Sequence, residues 1–184
     1  MQRKFNPEKV IDVLHWNDTL FSFKTTRSQS LRFRNGEYII IGLEQEEKRP
    51  ILRAYSIVSA NHEDYLEFFS IKVEGGAFTS KLQHLSIGDE VIIGSKPTGT
   101  LVIDDLRDGR NLLLIGTGTG LAPFLSIIKD PETYERFEKV ILFHGVRFID
   151  ELSYNKSITE ELPKHEYLGE MITEQLIYYP SVTR

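Results

Sequence analysis

Four consecutive residues, Arg53-Ala54-Tyr55-Ser56, join a planar cation to a flat aromatic ring at a useful spacing. They lie in Leu52–Ser59, a run of β-branched and aromatic residues that reads as a strand. Side chains alternate along a strand, so Arg53 and Tyr55 share a face. A guanidinium in an apolar strand needs an anionic partner, and its fork suits a phosphate. That face therefore suits a ligand carrying both a phosphate and an aromatic system. The plainer alternative is a surface ion pair beside an ordinary core tyrosine.

Two further stretches suit phosphate. Gly75-Gly76-Ala77-Phe78 leads into Thr79-Ser80-Lys81-Leu82-Gln83-His84-Leu85, whose leucines fall three apart and whose hydroxyl residues can cap a helix. Free amides at such an end make an anion site, although a capped helix with a glycine entry would read the same. Downstream, the apolar run Asn111–Ile115 ends in Gly116-Thr117-Gly118-Thr119-Gly120-Leu121-Ala122-Pro123 and passes into Phe124–Ile128, a strand–turn–helix pattern. The glycines depart from the dinucleotide fingerprint, because Leu121 or Pro123 falls where its third glycine belongs. No acidic residue closes the next strand, Lys139–Arg147. Arg147 stands there instead, which favours a 2′-phosphate as in NADP, or is a solvated cation at a strand end.

These residues need elements to hold them. Val10–His15 and Leu20–Thr25 read as a hairpin across Trp16–Thr19. Asn35-Gly36 turns the chain into Tyr38–Ile41, Gly42–Pro50 reads as a charged loop, and Leu52–Ser59 is expected to pair antiparallel with Tyr65–Val73. Val91–Ile93 follows, and short strands at this spacing suggest a small antiparallel barrel interrupted by the Thr79–Leu85 helix. After the charged stretch Asp104–Arg110 the period changes. Asn111–Ile115 has the continuous apolar pattern of a strand buried on both faces. Lys139–Arg147 repeats it, Asp150 can cap a helix running through Leu152, Ile158 and Leu162, and Gln175–Arg184 is a third strand. Alternating strand and helix is half of a doubly wound nucleotide-binding sheet.

The bulk composition narrows the classes. The 184 residues carry a formal charge of -5, which argues against a general nucleic-acid binder. There is no cysteine, hence no disulfide or thiolate metal site, and a reducing, cytoplasmic location is expected. No apolar run reads as a signal peptide or a membrane span, so no membrane association is expected.

Arg53-Ala54-Tyr55-Ser56, the Gly76–Ser80 loop, Gly116–Gly120 and His144-Gly145-Val146-Arg147 occur in that order. Together they resemble the ferredoxin (flavodoxin)–NADP⁺ reductase family of the bacterial type. The resemblance implies a two-domain fold: an antiparallel FAD-binding β-barrel over residues 1–103, then an incomplete α/β NADP-binding domain over residues 110–184. It implies an enzyme moving electrons between NADPH and ferredoxin or flavodoxin, with hydride exchange at the flavin N5. Arg53 would pair with the FAD pyrophosphate, Tyr55 would stack on the flavin, and Ser56 would hydrogen-bond near N5, the last two being the catalytic pair. Ala54 belongs to the same motif. Phe69 would lie against the cofactor, Ala77, Phe78, Thr79 and Ser80 would hold the pyrophosphate, and Thr119 would touch FAD from the glycine loop. Val146, Arg147, Thr183 and Arg184 would hold the adenosine end of NADP. Lys4, Arg27, Arg32, Arg34, Lys48 and Arg49 are candidates for docking an acidic carrier, or simply solvated charges. The family continues for several strands and helices beyond this point, so the chain is expected to be a fragment. An FAD-binding module without full NADP-dependent turnover is then the alternative function.

Overall fold

The computed structural model describes residues 4–45 and 48–184. Six strands, β1 Phe5–His15, β2 Leu20–Thr26, β3 Tyr38–Gln45, β4 Lys48–Ser56, β5 Tyr65–Ile71 and β6 Glu90–Gly94, form one antiparallel sheet. Its order is β4-β3-β6-β1-β2-β5. The sheet curls until its two edges meet at a single bridge, Ile57 to Phe68. Phe21, Phe23, Ile39, Ile41, Leu66, Phe68 and Ile93 fill the curl.

Several sequence expectations change here. Gly42–Pro50 is not a loop, because β3 runs on to Gln45 and β4 begins at Lys48, leaving 46–47 outside the described residues. Pro50 fits a strand because β4 is an edge, where a missing N–H costs no ladder bond. β4 pairs with β3 and β5 with β2, not with one another. The bridge and the Val58 N–H to Glu67 O bond of 2.8 Å are what remains of the expected pairing. Helix α1 is one turn, Thr79–Leu82, with no side-chain cap: the Thr79 hydroxyl donates to Val73 O at 3.4 Å.

The second layer is a parallel sheet of β7 Asn111–Thr117, β8 Lys139–Val146 and β9 Leu176–Val182, in that order. Helices α2 Ala122–Ile128, α3 Pro131–Arg136 and α4 Gly169–Gln175 accompany it. The sequence reading missed α3, which Asp130 caps through the Glu132 amide at 3.0 Å, and α4. The helix expected after Asp150 is broken into a 3-10 turn, Ile149–Glu151, a π-helical turn, Ser157–Glu161, and a second 3-10 turn, Leu162–Lys164. Glu151, not Asp150, takes the capping role, accepting from the Arg147 and Phe148 amides at 2.8 and 3.3 Å. Nor is β7 buried on both faces. Leu112 and Leu114 are covered, while Leu113 is 54% and Ile115 65% exposed.

The layers share one core. Leu20, Val58, Phe69 and Ile103 from the barrel side pack with Leu121, Leu125, Ile128 and Tyr154. Polar contacts reinforce it. The Ser126 hydroxyl lies 2.8 Å from Ser59 O and 2.9 Å from Asn35 Oδ1 and shares its one proton between these acceptors, and Asn35 Nδ2 donates to Asp130 Oδ2 at 2.6 Å.

Candidate active site

The register sets Arg53 opposite Ile41 and Tyr55 opposite Ile39, so both project to the inner face of the sheet. β4 and β5 separate beyond the Ile57–Phe68 bridge, and a cleft of about 500 Å³ opens between them. Arg53, Ala54, Tyr55 and Ser56 line one wall, Phe69, Ser70 and Ile71 the other. Gly76, Ala77, Phe78 and Thr79 close one side, and Thr119, Gly120 and Ala122 reach in from the glycine loop. Four stretches distant in sequence therefore meet at one site.

Each wall has a physical reason. Arg53 is exposed, and its guanidinium donates to its neighbour Leu52 O at 2.8 Å. Tyr55 is held on three sides: by the edge of Phe68 at 6.3 Å, by Phe78 at 5.9 Å, and by the Ser70 hydroxyl at 2.8 Å from its own. Burial raises its phenol pKa, with the Ser70 bond and the Arg53 charge pulling the other way. The Ala77 and Phe78 amides enter no backbone hydrogen bond among the described residues. A Cβ at Gly76 would meet Thr79 Oγ1 at 2.8 Å and Val73 O at 3.2 Å, so the approach is tight and favours glycine.

A second site of about 450 Å³ adjoins the first through Thr119 and Ile71. Gly118, Gly145, Val146, Arg147, Glu151 and Thr183 line it. Arg147 donates to Glu151 Oε1 at 2.7 Å. The Thr183 and Arg184 amides donate to Val146 O and Arg147 O, each at 3.0 Å, which brings both arginines to the same end of the sheet.

Of the residues expected to act, all but Ser80 and Arg184 line one of the two sites. Ser80 sits within α1, its amide bonded to Gly76 O at 3.1 Å. Phe78 is chiefly a core residue, 3% exposed. Ser70 was missed, since a serine near a strand end carries no periodic signal. Among the docking cations, Arg27 is engaged internally with Asn61 O, Glu63 O and the Phe33 ring, and Arg34 with Glu37. Lys4, Arg32 and Arg49 are exposed; the Lys48 side chain lies outside the described residues.

The donor set fits a dinucleotide. A cation and backbone amides face phosphate, an aromatic ring faces a planar heterocycle, and the volume is within the range of ligand clefts. Among the described residues no group of three or more His, Asp or Glu could hold a metal ion.

Comparison with known proteins agrees. The oxidoreductase FAD-binding domain family matches residues 9–103, and the oxidoreductase NAD-binding domain family matches residues 114–176. Fold and site thus define the class, an oxidoreductase with an FAD-binding and a nicotinamide-nucleotide-binding part. The ferredoxin–NADP reductase of Azotobacter vinelandii is 63% identical over 179 residues, covering 97% of this chain and 69% of that protein. The ferredoxin–NADP reductase of Pseudomonas aeruginosa is 63% identical over 177 residues, covering 96% of this chain and 68% of that protein. A crystal structure of a Neisseria gonorrhoeae ferredoxin NADP+ reductase with bound FAD and NADP superposes with a TM-score of 0.89 at 33% identity, covering 100% of this chain and 70% of that one. The chain belongs to the ferredoxin–NADP reductase family.

Proposed function

We propose that the chain binds FAD in the β4–β5 cleft and NADPH at the Arg147 site, and that it moves electrons between NADPH and a ferredoxin or flavodoxin. The observation that carries this reading is the meeting of Arg53, Tyr55 and Ser56 with Thr119 in one cleft, with the Arg147 site opening from it. A flavin, when bound, exchanges two electrons with a nicotinamide and one at a time with a protein carrier. The chain's own residues bind and orient. Arg53 offsets the charge of a pyrophosphate and the Ala77 and Phe78 amides donate hydrogen bonds to it, and Tyr55 offers its ring face to the heterocycle. The Ser56 hydroxyl serves the reacting edge, Phe69 lies on the opposite wall, and Thr119 bridges the two sites. Ala54, which also lines the cleft, belongs to the same motif, while Thr79 and Ser80 support the phosphate turn. Val146, Arg147, Thr183 and Arg184 take the adenosine end of NADPH, the arginines meeting its 2′-phosphate. The division into residues 1–103 and 110–184 belongs to the same proposal, as do the cytoplasmic location and the absence of a membrane partner. Among the described residues no helix is long and apolar enough to cross a membrane.

Reconstitution tests this. Purified chain mixed with FAD and desalted is expected to retain a bound-flavin absorption band, and anaerobic NADPH is expected to bleach it. A colourless product after reconstitution would exclude the reading. Retained flavin that NADPH leaves unbleached would reduce the function to the FAD-binding module.

A further inference from the structure

Tyr154 belongs to the second half of the chain, yet its side chain packs against the first. It lies between the 3-10 turn Ile149–Glu151 and the π-helical turn Ser157–Glu161, and it is 5% exposed. Its ring meets Phe69 of β5 edge-on, the centroids 5.1 Å apart at 84°, and tilts against Trp16 at 4.8 Å. Its hydroxyl donates to Glu67 Oε1 at 2.8 Å. Glu67 is itself buried, and Lys129, which closes α2, stands 4.0 Å from its other oxygen. Burial, with the Glu67 charge beside it, holds the Tyr154 phenol well above its ordinary range, so the donor persists at neutral pH.

Phe69 is the far end of this arrangement, for it lines the cleft together with Tyr55 and Thr119. Edge-to-face aromatic pairs hold a preferred geometry, and a hydroxyl bonded to a buried carboxylate is a strong anchor. Lys129 supplies a parallel path, since the glycine loop that carries Thr119 opens α2 and Lys129 ends it. Two walls of the cleft therefore lead to a pair of neighbouring carboxylates, Tyr154 hydrogen-bonded to Glu67 and Lys129 standing 3.4 Å from Glu63 and 4.0 Å from Glu67.

We propose that Tyr154 is a positioning residue: anchored on Glu67 and backed by Trp16, it fixes the Phe69 wall of the cleft, so that docking of the second half of the chain shapes the flavin site in the first. This rests on the assignment of the cleft to FAD.

The 184-residue chain reconstituted with FAD tests it, using Tyr154→Phe, Tyr154→Leu, Phe69→Leu and the Phe69→Leu/Tyr154→Leu pair. The readouts are the FAD dissociation constant, the visible circular dichroism of bound flavin, and the near-ultraviolet signal of Trp16. Trp16 is the single tryptophan and reports Tyr154 packing with no flavin present. Tyr154→Leu is expected to weaken FAD about tenfold and to change the flavin dichroism, and Tyr154→Phe to weaken it about threefold. The double variant is expected to bind FAD no more weakly than Phe69→Leu alone, because Tyr154 acts through Phe69. A merely structural Tyr154 would lower thermal stability yet leave the flavin dichroism unchanged and FAD affinity within about twofold, which overturns the proposal. Additive losses in the double variant overturn it too. If Tyr154→Leu does not fold, Tyr154→Phe, which keeps the ring, decides alone: unchanged affinity and dichroism are fatal. A wild-type chain that takes up no FAD, while Trp16 still responds to Tyr154→Phe, fails differently. It removes the assignment of the cleft to FAD, and this proposal with it.

Discussion

Arg53 and Arg147 illustrate how one residue type acts differently in two settings. Arg53 has its own backbone neighbour, Leu52 O, as hydrogen-bond partner at 2.8 Å, so its charge is available to a ligand. Arg147 is tied to the Glu151 carboxylate at 2.7 Å, so a 2′-phosphate would have to share it. Arg53→Ala should raise the FAD dissociation constant about ten- to a hundredfold, the worth of a charge-assisted bond to phosphate. Arg147→Ala should leave FAD affinity within about twofold and raise the NADPH needed for half-bleaching about tenfold. Titrating both variants with each nucleotide separates these effects, and equal loss of FAD in both would contradict the assignment. The Arg53–Tyr55 pair was legible because alternation along a strand is a local rule. Ser70 was not, because its meeting with Tyr55 depends on how two edge strands approach.

At the scale of elements, turns are the sharpest constraints. Gly36, before β3, has φ +99°, and a Cβ there would fall 1.9 Å from Leu101 O. Gly88, before β6, has φ +100° but open space around the same atom. Gly36→Ala is therefore expected to cost well over about 2 kcal/mol, backbone strain plus a clash with main chain, and Gly88→Ala only about 1–2 kcal/mol of strain. Denaturant unfolding of the two variants side by side measures the difference, and similar midpoints would contradict it. The Asn35-Gly36 turn itself was plain in the sequence. The length of β4 was not, since Pro50 and the charges before it read as loop until β4 is known to be an edge. The segment from Asp150 to Pro163 was misread for a related reason. Its apolar residues fall at helical spacing, but Glu151 spends its carboxylate on the Arg147 and Phe148 amides and the backbone turns early.

Across the whole molecule, the two halves are joined by a shared core and by buried polar contacts, and one of these is sensitive to acid. Glu63 of the barrel side accepts from the Ala60 amide and the Tyr65 hydroxyl, both at 2.5 Å, and faces Lys129 of α2 at 3.4 Å. Burial alone would raise its pKa, but the Lys129 charge and these hydrogen bonds outweigh it and hold the carboxyl below its ordinary 4.5. A carboxylate depressed in the folded state stabilises fully above its unfolded pKa, and that contribution is lost as pH falls through the folded value. Stability should therefore decline below pH 4.5. Glu63→Gln should be less stable at neutral pH and should show a flatter acid limb. Denaturant midpoints measured across pH for both proteins check this, and parallel pH profiles would rule it out.

Local chemistry determined what could be read without coordinates: the strand alternation that pairs Arg53 with Tyr55, the glycine turns, the change of period after residue 110, and the order of motifs that marks the family. Apart from the order of motifs, which runs from Arg53 to Arg147, each of these signals lies within a few residues, where backbone geometry alone sets their relation. The tertiary structure decided which edges face each other across the cleft, that Ser70 holds the Tyr55 hydroxyl, and that Tyr154 reaches 87 residues back to Glu67. Such contacts arise from sheet curl and from the packing of one layer on another, and no spacing along the chain encodes the distance between strands that meet only at their edges.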